Sequence, residues 1–303
     1  MKIFVKNEYS SLRSIIVGSA QQFAWPTDDS AFDANIDAST YKGAFIPGPL
    51  RDRIIQEAEQ DLDQLIDALE KEGVKVYRPQ ISKPNWSYSA RDILLTVGNQ
   101  IIECPTPYSS RANESDLYPC LKNAKCKWIR APRPKTEDDP KFDAANVLKF
   151  NNKLLYLVSG TGNEAGAEWL QQQVGTDFEV IVWKDVYAFA HIDSTIASLN
   201  ENTILLNASR VSYNSLPLFL RQHRKIWVND LASRDFHQFP FASKWIGLNI
   251  LSTDPETVIV DKIQTRLIER LREARFRVIE LELRHSRTLG GGFHCVTLDL
   301  ERE

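Results

Sequence analysis

Short apolar runs rich in β-branched and large residues recur along the whole chain, bounded by Gly, Asn, Asp or Pro, and they predict strands. These runs are Ser14–Val17, Val74–Tyr77, Ile93–Val97, Gln100–Glu103, Asn146–Phe150, Lys153–Val158 and Glu179–Trp183. They continue with Ile192–Leu199, Thr203–Leu206, Lys225–Trp227, Val258–Val260, Val278–Leu281 and Cys295–Leu300. Two pairs flank tight polar turns, Gly98-Asn99 and Asn151-Asn152, and read as hairpins. Helical spacing intervenes. The clearest helix is predicted over Leu50–Glu72, where Ile54, Ala58, Leu62, Leu65, Ile66 and Leu69 form one apolar stripe and Gly73 is the stop signal. Others are predicted over Gly162–Val174 and Pro255–Arg275, the last with first turns that also read as strand.

The order is hairpin, helix, strand, repeated several times. No strand leads into a Gly-x-Gly-x-x-Gly phosphate turn, so a two-layer or radial α/β arrangement fits better than a doubly wound sheet. Periodicity leaves a closed wheel and stacked layers equally open. The Pro-rich piece from Ala131 to Pro140 reads as a loop.

Composition narrows the class. With 303 residues, 43 % hydrophobic and 25 % charged, the chain reads as an ordinary soluble globular protein able to bury a large core. A net charge of −3 gives no reason to expect nucleic acid or an anionic membrane as partner. The N-terminus lacks the pattern of a secretory signal, and every apolar run is interrupted before membrane-span length. The four cysteines, Cys104, Cys120, Cys126 and Cys295, suit a reducing cytoplasm better than a disulfide-built fold, although a Cys120–Cys126 bridge is conceivable. They lack the paired spacings of a zinc site, so no metal and no cofactor are expected.

Three segments carry candidate chemistry. Leu289-Gly290-Gly291-Gly292-Phe293-His294-Cys295 puts a thiol after a glycine turn that permits positive φ and close ligand approach, at the start of a strand. Ala190-His191-Ile192-Asp193-Ser194-Thr195 places His191, Asp193 and Thr195 on one face if extended. Phe142-Asp143-Ala144-Ala145 places an acid before a hairpin. Each has an ordinary structural alternative: a turn-capping Asp, a hydrogen-bonded His, a packed Cys. Together they suggest a Cys–His–Asp enzyme. His294 also neighbours the thiol, but on an extended segment it points to the opposite face.

The same segments, in order, resemble the amidinotransferases that act on glycine and inosamine phosphate, within the guanidino-group-modifying superfamily that includes arginine deiminases. The resemblance runs through Ser14–Gly18, Ala90–Glu103, Phe142–Ala145, His191–Thr195, Ser243–Asn249 and Leu289–Cys295, nearly the whole chain. It implies a single catalytic domain over residues 1–303, a five-bladed pseudo-symmetric α/β propeller of ββαβ modules with its site in the central channel. It further implies Cys295 as nucleophile, His191 as general acid/base and Asp143 as that histidine's carboxylate partner. Asp92 and Asp193 take the positions that hold the donor guanidinium, Arg210 lies near the donor's α-carboxylate, and Ser243 near its amino-acid end. A nearby cation and the polar turn are expected to favour the Cys295 thiolate.

The implied reaction is transfer of the amidino group of L-arginine to an amine through an amidino-cysteine, releasing L-ornithine, in specialised cytoplasmic biosynthesis. Hydrolysis of arginine or a related guanidine by the same machinery is the alternative. The partners implied are small molecules, with a homodimer possible. The chain departs from the pattern of glycine-using members at Ala188-Phe189-Ala190, which replaces their Asn-Pro-Met, so glycine is not the expected acceptor. Tyr187 and Phe189 suggest an aromatic-sided pocket instead. Ala90 stands where proline usually precedes the Arg-Asp pair.

Overall fold

The computed structural model describes residues 1–37, 45–236 and 239–303. Its strands form five three-stranded sheets and one two-stranded ribbon. In blade one, Leu12–Val17 pairs antiparallel with the C-terminal Thr297–Arg302 and parallel with Lys75–Tyr77, so the two chain ends close the ring. Between its strands lie helix α1 (Ser30–Asp37), the ribbon of Ala24–Trp25 with Gly48–Pro49, and helix α2 (Asp52–Lys71).

Each remaining blade is an antiparallel pair followed by a crossover to a parallel third strand. Blade two joins Leu94–Val97, Gln100–Glu103 and Lys127–Arg130, its crossover made of 3₁₀ turns between Ser109 and Asn123. Blade three joins Val147–Phe150, Lys153–Leu157 and, after α3 (Glu164–Val174), Glu179–Trp183. Blade four joins Ile196–Asn200, Thr203–Asn207 and Arg224–Val228. Blade five joins Leu251–Asp254, Thr257–Asp261 and, after α4 (Thr265–Glu273), Arg277–Leu281. A short helix α5 (Ser286–Leu289) then leads back to the closing strand. The fold is the pseudo-fivefold α/β propeller, and the closed wheel prevails over stacked layers.

The elements form where the pattern predicts, with instructive shifts. Helix α2 buries Ile54, Ala58, Leu62, Leu65 and Leu69 and ends at Gly73, whose φ of 78° suits glycine. It also buries Asp61, which accepts from the Arg284 backbone N–H at 2.6 Å and its Nε at 2.8 Å, tying blade one to the segment after blade five. The helix predicted over Pro255–Arg275 begins only at Thr265. Its β-branched first half, Thr257–Asp261, is fully buried between two strands, a setting that favours pleated over helical backbone. Strands Lys127–Arg130 and Leu251–Asp254 went unpredicted because each mixes charged or polar residues into a short run. Cys120 and Cys126 are unbridged.

Thr297–Arg302 of blade one touches Leu94–Val97 of blade two, and Ile196–Asn200 of blade four touches Leu251–Asp254 of blade five. The axis beneath the pore is filled by charge. Glu8 meets Lys149 at 2.8 Å and Arg91 at 3.4 Å, Arg91 meets Asp299 at 2.8 Å, and Asp299 meets Arg302 at 2.7 Å, all of them buried. Such a cluster is stable only while every member keeps its partner. The apolar face of α2 makes a separate, local contribution. Leu65→Ala, at a fully buried position, is expected to cost about 2–5 kcal/mol in a urea titration, against about 0.5 kcal/mol or less for exposed Asp67→Ala.

Candidate active site

Every blade delivers a polar residue from the same place, the turn just before its first strand. Asp92 precedes Leu94, Asp143 precedes Val147, His191 and Asp193 precede Ile196, Asn249 precedes Leu251, and Cys295 precedes Thr297. These turns converge on a cavity of about 410 Å³. Cys295, His191, Asp143, Asp92, Asp193, Arg210 and Ser243 all line it, although they are spread over more than two hundred residues of sequence.

The local backbone differs from the extended segments expected. Ile192–Ser194 is a 3₁₀ turn, with His191 in extended backbone before it, so alternation along a strand is not what turns His191 and Asp193 into the cavity. Residues 293–296 are likewise a turn, and the strand starts at Thr297. Of the three glycines, only Gly290 has positive φ, at 76°. Gly292 is required by packing: a Cβ there would stand 2.6 Å from that of Asn249. The close approach this glycine permits is therefore to protein rather than to ligand.

That approach lets Asn249 clamp the cysteine. Cys295 N–H donates to Asn249 Oδ1 at 2.9 Å, and Asn249 Nδ2 donates to Sγ at 3.1 Å. The thiol donates to Asp193 Oδ2 at 3.2 Å. Asp193 Oδ2 is also 3.0 Å from His294 Nδ1, whose Nε2 lies 3.3 Å from Glu8. His294 thus lies outside the cavity lining and links Asp193 to the axial charge cluster. His191 Nε2 is 2.9 Å from Asp143 Oδ2, and Thr106 Oγ1 donates to the other oxygen at 2.7 Å. Its Nδ1 faces Asp92 Oδ1 at 3.7 Å.

Neither Asp92 nor Asp193 has both carboxylate oxygens free of protein partners. Arg111 Nη1 donates to Asp92 Oδ2 at 2.6 Å, leaving Oδ1 buried with no hydrogen-bond partner. Arg111 is itself held by Glu114 through Nε and Nη2, at 2.6 and 2.7 Å. Arg210 stacks 3.4 Å over Tyr187, with Nη1 donating to Ser194 and to Thr195 Oγ1. Ser243 caps the turn that carries Asn249, its Oγ accepting from Trp245 N–H.

Burial sets the electrostatics. It pushes the Cys295 thiol well above its ordinary range, and Asp193 and Asp92 push the same way. The protonated thiol is therefore the resting form, because the cavity floor around sulfur is predominantly acidic. Burial also raises Asp92 against the opposing pull of His191 and Arg111. Burial alone lowers His191, but Asp92, then Asp143 and Asp193, outweigh it and raise it to about 9. Asp193 is held at about 2: burial raises it, but His294, His191 and the thiol reverse the shift.

The chain is 40 % identical to inosamine-phosphate amidinotransferase 1 of Streptomyces griseus, over 99 % of this chain and 97 % of that one. The chain belongs to the amidinotransferase family. The amidinotransferase is also 31 % identical to the L-arginine:L-lysine amidinotransferase of Pseudomonas savastanoi pv. phaseolicola, covering 97 % and 93 % of the two chains. The solved Streptomyces griseus inosamine-phosphate amidinotransferase superposes with a TM-score of 0.93 at 39 % identity, covering 99 % and 97 %. No family model matches the chain. No described helix is long and apolar enough to cross a membrane.

Several side chains that shape the amidinotransferase site escaped the sequence. Arg111 and Glu114 lie in an irregular crossover with no periodic signal. Asn249 ends the Ser243–Asn249 segment already singled out, but its match to Asp92 and Cys295 shows only once the following strand, Leu251–Asp254, is seen.

His191 carries a pH signature. A pKa raised from 6.5 to about 9 means its carboxylate partners stabilise the fold fully below pH 6.5, and that contribution fades as pH rises through about 9. Asp143→Asn is therefore expected to lower the urea midpoint most at pH 6, with the deficit shrinking by pH 10. A deficit that grows with pH contradicts this assignment.

Proposed function

We propose that the chain, acting as one catalytic domain, transfers the amidino group of L-arginine to an amine other than glycine through a covalent amidino-cysteine, releasing L-ornithine. The observation that carries this reading is the buried Asp92 Oδ1, partnerless in the same cavity that Asp193 and the thiol bonded to it line. A planar cation inserted there supplies the missing donors and the positive charge this acidic floor lacks. The name of the Pseudomonas savastanoi relative supports arginine as donor. Specialised biosynthesis in the cytoplasm is the setting this chemistry suits.

Cys295 is the nucleophile. The guanidinium, once held between Asp92 and Asp193, lowers the cost of forming the thiolate; the thiol proton passes to solvent and is taken up again when sulfur is expelled. Sulfur attacks the guanidinium carbon. As the S–C bond forms and the C–N bond breaks, His191, protonated at neutral pH, gives its proton to the departing nitrogen. Ornithine departs with the nitrogen and its proton, and the positive charge stays on the amidino group. Neutral His191 then takes a proton from the incoming amine, whose nitrogen attacks the same carbon and expels sulfur. Asp143, fixed by Thr106, keeps His191 oriented and supports its charged form. Arg210, a cation on the cavity wall, suits the donor carboxylate, with Ser243 near its amino-acid end.

Hydrolysis of the same intermediate uses the same residues and is separated by its products. Arginine alone is expected to leave an amidino adduct on Cys295, seen in intact mass, with a burst of ornithine. Adding an amine restores turnover and yields a guanidino product. Cys295→Ala is expected to lose at least about a thousandfold in rate and all of the adduct. Steady citrulline or urea without any amine overturns transfer in favour of hydrolysis.

A further inference from the structure

We infer that the acceptor is a primary amine carried on an apolar, ring-sized body without a phosphate, an inference that rests on the transfer reading above. Aromatic side chains make up much of the cavity wall. Trp25, Trp86 and Phe241 form one stretch, with the Trp25 and Phe241 centroids 4.3 Å apart and those of Trp25 and Trp86 5.7 Å apart. Phe32 stacks behind Phe241 at 5.8 Å, nearly parallel. Phe241 is seated against Gly290, where a Cβ would come 2.4 Å from its ring. Tyr187 and Phe189 supply another aromatic stretch, their centroids 6.4 Å apart. Packed rings present a large apolar surface with little rotamer freedom left to lose on binding.

The cations on the cavity wall argue in the same direction. Among the described residues they are Arg111, Arg210 and His191. Arg111 is committed through all three nitrogens, to Glu114, Asp92 and the Ser89 carbonyl, and its side chain is 1 % exposed. His191 is committed to Asp143 and Asp92. Arg210 has Nη1 engaged by Ser194 and Thr195 and is further held by Tyr187 through its face and a side-chain hydrogen bond, which leaves room for no more than one carboxylate. A phosphate here meets three carboxylates, Asp92, Asp143 and Asp193, and no uncommitted arginine pair to replace its water. An ammonium group meets the opposite balance: the acidic floor draws it to Cys295 and the rings cover its body.

The test uses the full-length protein with L-arginine and, separately, phenethylamine, glycine, glucosamine 6-phosphate and hydroxylamine, following ornithine and each guanidino product by mass spectrometry. The expected kcat/KM for phenethylamine exceeds those for glycine and the sugar phosphate by about tenfold or more. Phe241→Leu, which keeps an apolar side chain of similar reach, is expected to shrink that ratio. Glycine or glucosamine 6-phosphate performing as well as phenethylamine overturns the acceptor class, as does an unchanged ratio in Phe241→Leu. Hydroxyguanidine formed from hydroxylamine in those cases shows that transfer itself stands. Its absence, with citrulline accumulating, instead removes the transfer reading beneath.

Discussion

Negative charge buried next to a buried thiol is the constraint on which this structure turns. Asp92, Asp143 and Asp193 are each at most 5 % exposed, and Cys295 is 2 % exposed. In so little water, each carboxylate oxygen needs a donor, and the protein supplies them unequally. Asp143 has both oxygens satisfied, by Thr106 and His191. Asp193 leans on His294 and the thiol, while Asp92 keeps one oxygen bare. The shortage raises the thiol and His191 together, so the resting site holds its protons and the reaction we propose begins only when a cation arrives.

The propeller meets this constraint by repetition. Short turns ahead of each first strand bring one or two polar side chains to the axis, and several of these turns and strands touch those of the next blade. Side chains on rigid strand ends hold their geometry better than those on long loops. Beneath them, the cluster of Glu8, Lys149, Arg91, Asp299 and Arg302 anchors the floor and reaches the site through His294. The charge that serves the site is thus continuous with the charge that holds the wheel together.

How far the chain could be read in advance depended on the range of each interaction. The apolar stripe of α2 and the hairpins around Gly98-Asn99 and Asn151-Asn152 follow from neighbours in sequence, and they lie within a residue or two of where they were expected. Thr257–Asp261 was ambiguous because a short β-branched run suits both strand and helix until its partners are known. The 3₁₀ turns at Ile192–Ser194 and before Thr297 were invisible for a related reason. Their conformations follow from contacts with Asn207, Arg210 and Asn249, none of them adjacent in sequence.

By itself, the sequence determined the alternation of hairpin, helix and strand, the family, and the residue types from which an acid, a base and a nucleophile could be drawn. These depend on local pattern and on motif order, which survive without coordinates. Only the tertiary structure decided that the ring closes through the two chain ends, that Arg111 occupies half of Asp92, and that Asn249 and Asp193 hold the sulfur. Those outcomes hinge on which buried polar atoms find partners across blades, and that competition is settled only when distant segments meet in the absence of water.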